Sequence, residues 1–463
     1  MMKGRKAVVG VFDIGKTNKK LFLFDEEYKI VFELSQEFSE VTDEDGDPCE
    51  SIQNIEIFIL NAFKELKKKR EFLVKAFNFS TYGASFVLLG ENGEPIAPLY
   101  NYLKPFPEEL KKEFYDTYGG EESVAVATAS PVLGNLNSGM QLYRIKKNKP
   151  ELYKNIKYAL HLPQFVSYLI SKEQASDITS IGCHTNMWDF EKNQYHSWIH
   201  QEGIDEILAP IKPSDTVVEV NDPLGNYKVG IGLHDSSSAL IPYLTSFTQP
   251  FILISTGTWC ITLNPFNDVP LTAEELQYDC LTYLSFEGKP VKASRLFAGN
   301  EHEIQVKRLA EHFHTSKDHF KNVSYDQTII DHLKAANQEM EKSNSTSQLI
   351  DISFKTRNIR DFVSYEEAYH QLIMDIIQAQ IISTQLVFTG NEVDTIFVDG
   401  GFGHNEIYMQ LLADSFPEKT VYAASVAQAS AIGAALAIHS EWNSKPIPEN
   451  LIKLTPYSAL KHA

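Results

Sequence analysis

Two α/β domains of related design are what this sequence predicts, and three observations carry the expectation. At 463 residues the chain is too long for one hydrophobic core. Strand-like runs alternate with amphipathic helical ones through most of its length, the pattern of an α/β fold. The stretch "VFDIGKTNKKLFLF" (11–24), apolar at both ends and polar in its middle, has a counterpart in "FILISTGTWCITLNPF" (251–266), about 240 residues later. Two strand–turn–strand units, one per half, suggest a duplicated fold with a ligand cleft between the copies.

In chain order, the first strand falls at 6–13 and the second at 19–24, joined by the GKTNKK turn, with a third in "KIVFELSQEF". "SIQNIEIFILNAFKELKKKR" has helical apolar spacing and basic residues in its last turn, where the helix dipole favours them. Strands follow in "FLVKAFNFS" and "SFVLLGENGEPI", and residues 137–172 read as helical. The linker between halves is expected around 240–249, and a second unit begins near 250. There "YEEAYHQLIMDIIQAQIISTQLVF" is a helix, and "DTIFVDGGFGHNEIYMQLLAD" reads as strand, Gly-rich turn and helix. "TVYAASVAQASAIGAALAIH" gives a short strand, a loop and an Ala-rich closing helix. The polar segment 316–348 reads as solvated helix or loop and carries no chemistry.

Composition excludes several functions. The chain is 43% hydrophobic and 22% charged, with 42 Lys and Arg against 61 Asp and Glu, a formal charge of −19. That balance argues against nucleic acid or an acidic membrane as partner, since phosphate-backbone binding needs a positive face. An anionic small molecule would need local positive charge and a divalent cation. The cysteines 49, 183, 260 and 280 form no CxxC pair and no zinc spacing, which fits a reducing compartment. Adjacency of Cys183 and His184 does not make a nucleophile–base pair. The basic-then-apolar start is cut by Asp13 after about six apolar residues, so it is a first strand and not a leader. No run approaches the roughly 20 apolar residues that span a bilayer. A soluble cytoplasmic chain is expected.

Four short motifs bear on chemistry. In the opening turn, Gly15 leaves backbone N–H groups free to face a phosphate, Thr17 adds a hydroxyl, Lys16, Lys19 and Lys20 add charge, and Asp13 offers a metal ligand. A surface hairpin with a polar tip would read the same way. "STGTW" offers Thr256, Gly257 and Thr258 after a buried strand, either a tight turn or a second phosphate cradle. In "VDGGFGHN", Gly400 and Gly401 permit close backbone approach to a ligand, and Asn405 caps a helix or bonds that ligand. In "HDSSSA", Asp235 begins a helix as a cap, or accepts the proton of an attacking hydroxyl, with His234 beside it.

Taken in order, "DIGKTNKK" (13–20), "HDSSSA" (234–239), "STGTW" (255–259), "DGGFGHN" (399–405) and the closing "AIGAALA" (431–437) resemble the FGGY carbohydrate kinases over nearly the whole chain, residues 7 to 440. The resemblance implies two actin-like (ribonuclease-H-like) domains, 1–243 on the sugar and phosphate side and 244–463 on the nucleotide side. It implies ATP and Mg²⁺ as cofactors and a small-molecule sugar as substrate, and it allows a homodimer. Within the family the nearest likeness is to rhamnulokinases, with fuculokinases close behind. That favours L-rhamnulose and leaves L-fuculose, D-xylulose, D-ribulose or a polyol as alternatives. A non-catalytic sensor of the same fold is the rival class.

By the same resemblance Asp235 is the general base and Asp13, with Asp235, holds Mg²⁺. Gly15, Lys16, Thr17 and Lys20 line the phosphates from one domain, and Thr256, Gly257 and Thr258 from the other. Gly299, Gly400, Gly401 and Asn405 match nucleotide positions. Tyr82, Gly83, Ser85 and His234 fall on the sugar side. The chain also departs from the pattern. Lys16 stands where a small or hydroxyl residue is usual, and Lys20 stands where Arg is common, losing the bidentate fork. Ser85 replaces an acid of the rhamnulokinases, whose Asp-Thr-Trp-Gly-Val-Asp-Phe reads "STYGASF" here. One lost carboxylate in a sugar pocket is enough to redirect specificity.

Overall fold

The computed structural model describes residues 5–16, 18–341, 352–388 and 393–460. Thr17 and the later part of the polar segment 316–348 lie outside the described residues.

Strand β1 (Lys6–Ile14) is apolar on both faces because it runs through the middle of a sheet covered on both sides, with Val8, Val9, Val11, Phe12 and Ile14 fully buried. β2 (Asn18–Asp25) returns antiparallel to it, pairing Asp13 with Lys20, and β3 (Ile30–Glu37) continues the meander. Helix α1 (Ile52–Lys68) starts at Ser51, whose side chain accepts from the Asn54 amide, and buries Ile52, Ile55, Phe58, Ile59, Ala62 and Leu66. That spacing is one face of a helix, and it covers the Val8–Phe12–Ile14 side of the sheet. β4 (Phe72–Thr81) then pairs parallel to β1, setting Ser80 beside Asp13. The sheet has seven strands, in the order 217–222, 225–230, β4, β1, β2, β3, with Leu233–His234 added to β4.

Two sequence expectations shift. Residues 137–172 are not helical throughout, because Tyr158–His161 is a strand paired antiparallel to Phe86–Leu89. All four residues of Phe86–Leu89 are buried, and Pro163 at the start of Leu162–Ser171 begins a fresh helix. The expected linker is shorter, since helix α2 (Asp235–Ser246) runs through residue 246.

The second half repeats the plan. β5 (Phe251–Thr256) and β6 (Cys260–Asn264) form the antiparallel hairpin, and β7 (Cys280–Leu284) and β8 (Pro290–Leu296) extend it. Helix α3 (Tyr365–Phe388), 24 residues long, is long and apolar enough by composition to cross a membrane, yet Tyr369, Leu372, Ile373 and Ile376 are buried in the core of this half. β9 (Thr395–Gly400) pairs parallel to β5, helix α4 (Glu406–Ser415) follows, and β10 (Thr420–Ser425) pairs with β9. The order β8–β6–β5–β9 copies β3–β2–β1–β4, an antiparallel meander with a parallel strand beyond it.

The lobes meet through two helices, α2 and the closing helix α5 (Ala429–Ala437), packed in one apolar cluster with Val9 and Val11 of the first sheet and Leu253 and Phe397 of the second. Gly433 makes the crossing possible, since a Cβ there would lie 1.8 Å from the Ser238 carbonyl oxygen. Ser238 Oγ donates to the Ser430 carbonyl at 2.7 Å. The turns after β1, β4, β5 and β9 all lie at strand C-terminal ends, where ligands gather in open α/β sheets.

Candidate active site

Asp13, at the end of β1, is held by Ser430 Oγ of α5, which lies 3.3 Å from each carboxylate oxygen. The two lobes therefore touch at this acid. Burial, with the nearby charge of Asp235, pushes the Asp13 carboxyl up to about 6, while Ser430 and Lys20 oppose the shift. A buried carboxyl whose proton affinity is raised by a second carboxylate nearby suits a divalent ion. Among the described residues no three His, Cys, Asp or Glu side chains could hold a metal alone. Mg²⁺ takes one or two protein carboxylates and completes its shell with phosphate and water.

Asp235 opens α2 and is about 38% exposed at the side chain. Its Oδ1 accepts from the Ser236 amide at 2.7 Å, and Oδ2 has no hydrogen bond among the described residues. Leu233–His234 pairs with Ser80–Thr81 of β4, which fixes where the helix begins. Gly83 leaves the room His234 needs, because a Cβ there would lie 2.3 Å from the imidazole. Burial depresses the His234 pKa and keeps the ring neutral, 3.5 Å from Asp235.

The basic residues of the opening turn are largely committed to the protein itself. Gly15 N–H donates to the Asn18 carbonyl at 2.9 Å, closing the turn. Lys19, buried beneath it, donates to the Gly15 and Lys16 carbonyls at 3.1 and 2.8 Å and pairs with Glu50. Glu50 also accepts from the Tyr82 hydroxyl, tying the turn to the expected sugar side. Lys16 Nζ donates to Asn101 Oδ1 at 2.8 Å, lies 4.5 Å over the Tyr102 ring and stands 3.6 Å from Glu40. Lys20 stands 3.5 Å from Glu33. Ser85 is buried, with its hydroxyl on the Tyr100 carbonyl at 3.4 Å.

In the second lobe Thr256, Gly257, Gly299, Gly401 and Asn405 line one cavity of about 690 Å³. The Thr256 hydroxyl donates to the Asp399 carbonyl at 2.7 Å and accepts from the Phe402 amide at 3.0 Å, so it staples β5 to the glycine turn. Gly400, at φ +90°, has the Thr256 carbonyl where a Cβ would be. Gly299 has the Gly257 carbonyl there, and Asn300 N–H bonds the Thr258 carbonyl at 3.1 Å. Gly401 faces open space. Asn405 caps α4 through the Tyr408 amide and donates to the Tyr369 hydroxyl at 2.7 Å.

The cavity wall also holds residues that sequence reading passed over. His302 bonds the Tyr369 hydroxyl at 3.0 Å and packs edge-on against Phe320 and Phe402. Burial lowers its pKa to about 4, so it is neutral. Its position one turn after Gly299 on a helix was the available signal. An aromatic wall of this kind with a few convergent polar groups suits a flat heteroaromatic ring. Glu50 was missed, and Lys19 was read as free charge, because their pairing spans 31 residues.

Comparison with known proteins places this geometry in context. The family model described as "FGGY family of carbohydrate kinases, N-terminal domain" matches residues 8–241, and "Carbohydrate kinase FGGY, C-terminal domain" matches residues 248–446. A rhamnulokinase of Oceanobacillus iheyensis is 23% identical over 387 residues, 76% of each chain. A rhamnulokinase of Halalkalibacterium halodurans is 24% identical over 263 residues, a match spanning about half of each chain, 54%. Among solved structures, a carbohydrate kinase from Novosphingobium aromaticivorans superposes with a TM-score of 0.77 at 20% identity, covering 98% of this chain and 97% of the other. The Plasmodium falciparum glycerol kinase with ADP gives 0.72 at 16% identity, covering 99% and 95%. These likenesses establish a shared fold.

Proposed function

The chain belongs to the FGGY family of carbohydrate kinases, and from that premise we propose that it transfers the γ-phosphoryl group of ATP to a primary hydroxyl of a ketose. The observation that carries the reading is Asp235. Its partly exposed carboxylate feels Asp13 at the lobe seam, and one of its oxygens has no hydrogen bond among the described residues. The first lobe is the sugar side, through Tyr82, Gly83 and His234, and the second is the nucleotide side, through its aromatic cavity.

In this mechanism the nucleotide base enters the cavity walled by His302, Phe320 and Phe402. The turns after β1 and β5, at the ends of their strands, flank the phosphates. Asp13 and Asp235 would hold Mg²⁺, which would neutralise phosphate charge. Asp235 orients the sugar hydroxyl and takes its proton as the oxygen attacks phosphorus. His234 stays neutral and helps place the sugar. Closure of the lobes excludes water, which would otherwise compete as acceptor.

L-rhamnulose leads among substrates, supported by the names of the curated relatives, with L-fuculose, D-xylulose, D-ribulose and polyols next. The test is ADP release over that panel, scored by kcat/KM, with wild type and Asp235→Asn. Asp235→Asn should lower kcat by about 10²-fold or more while ADP affinity stays the same. Near-full turnover by the variant would sink the base assignment.

A further inference from the structure

The lysines of the opening turn leave little free charge for a phosphoryl group, because Asn101 and Glu40 hold Lys16, Glu50 holds Lys19 and Glu33 stands by Lys20. A cation must come from elsewhere. We propose that Arg295, reaching in from the second lobe, is a further catalytic residue that bonds the transferring phosphoryl group beside Asp235. The inference rests on the kinase reading above.

Arg295 lies on β8, paired in register with Ile261 of β6. Asp279 grips it with both oxygens, at 3.1 Å to Nε and 2.6 Å to Nη2, which leaves Nη1 without a partner among the described residues. The guanidinium also lies 5.4 Å from the ring of Trp259, in the turn expected to cradle phosphate. Its side chain is only 10% exposed, so its charge is poorly screened.

The strand beside it packs onto the part of the first lobe that carries Asp235. Ser237 Oγ, two residues past that acid, donates to the Leu284 carbonyl at 3.1 Å, and the Leu284 amide donates to the Gly182 carbonyl at 3.2 Å. A Cβ on Gly182 would meet Leu284 at 2.5 Å, and the His184 ring is 6.2 Å from Tyr283. The Cys183 thiol and the Tyr283 phenol, buried at this seam, each feel the charge of both Asp235 and Arg295.

Transfer then runs as follows. The acceptor oxygen bonds to phosphorus, the bond from phosphorus to the ADP oxygen breaks, and its electron pair stays on ADP. The hydroxyl proton goes to Asp235. Arg295 transfers nothing; its Nη1–H donates to a phosphoryl oxygen as charge shifts there. The Asp279 clamp holds the group ready before substrate arrives.

The experiment compares full-length wild type with Arg295→Gln and Arg295→Lys, on whichever panel sugar the wild type phosphorylates. Calorimetry adds the affinities for ADP, for that sugar, and for ADP with aluminium fluoride and sugar together. Arg295→Gln should lose about 10²–10³-fold in kcat, with ADP and sugar affinities within threefold and aluminium fluoride capture abolished. Arg295→Lys should recover part of the loss. If Arg295→Gln does not fold, the pair Arg295→Met with Asp279→Leu removes both charges at once and should show the same loss. An active wild type with Arg295→Gln turnover within threefold overturns this inference alone, as does a rise in sugar KM at unchanged kcat. A wild type inactive on every sugar overturns the kinase reading, and this inference with it.

Discussion

Replacing Gly433 with alanine sets two effects of opposite sign against each other at the lobe seam. In a helix interior alanine is favoured over glycine by about 1 kcal/mol, so propensity alone predicts a more stable protein. The crossing predicts the reverse. A Cβ at 433 would lie 1.8 Å from the Ser238 carbonyl oxygen, a backbone atom that no rotamer change can move aside. The helices α2 and α5 must part by more than an ångström, and overpacking of this kind costs typically about 1–3 kcal/mol. The contact should win, leaving a net loss of up to about 2 kcal/mol. The cost extends to chemistry, because Ser430, one turn earlier on α5, bonds Asp13. Urea unfolding would read the stability change, and sugar-dependent ADP release would read the activity. Gly433→Ala matching or exceeding wild type in midpoint at equal slope would refute the reasoning.

Filling the nucleotide cavity should separate binding from folding. Nothing lies within 4 Å of where a Cβ on Gly401 would stand, so Gly401→Leu should keep the melting temperature and weaken ADP binding about tenfold or more by calorimetry. Lys19→Met leaves Glu50 buried without its cation and should cost about 3–5 kcal/mol in urea unfolding, whereas Lys19→Met with Glu50→Gln should regain much of it. Stability should also fall on mild acidification. His161 and His184 are held near 3, His302 near 4 and His234 below its usual value, all by burial. Their folded pKa values lie below the unfolded 6.5, so their contribution is fully present above that pH and is lost as pH falls toward 3. Asp13 and Asp177, raised to about 6, act the other way below that pH and cancel about two histidines. The net loss is roughly 1–2 kcal/mol per pH unit between about 6 and 5, and a melting temperature flat over that range would contradict it.

The sequence carried the paired strand–turn–strand units plainly, because an apolar strand buried on both faces and a Gly-containing turn are local signals. Asp13 and Asp235 stood out as candidates on local grounds too, each a lone acid where a strand gives way to a turn or helix. The fate of the lysines was not. Lys16 finds Asn101, 85 residues away, and which cations remain free for a ligand depends on such distant pairings. The strand Tyr158–His161 was hidden between two helical patterns, since only its partner at Phe86–Leu89 makes it a strand. The Thr256 hydroxyl looked like a phosphate ligand until the Asp399 carbonyl and Phe402 amide were seen to occupy it. Arg295 gave no signal in its own neighbourhood, because its partners Asp279 and Trp259 are ordinary residues until the sheet gathers them.

The glycine contact between α2 and α5 sits three residues beyond Asp235 on one helix and three beyond Ser430 on the other. Any swing of one half against its twin that turns about this point carries the aromatic chamber through a wide arc and moves the paired acids hardly at all. Product can then depart, and fresh nucleotide arrive, with the proton acceptor and its neighbour still in register.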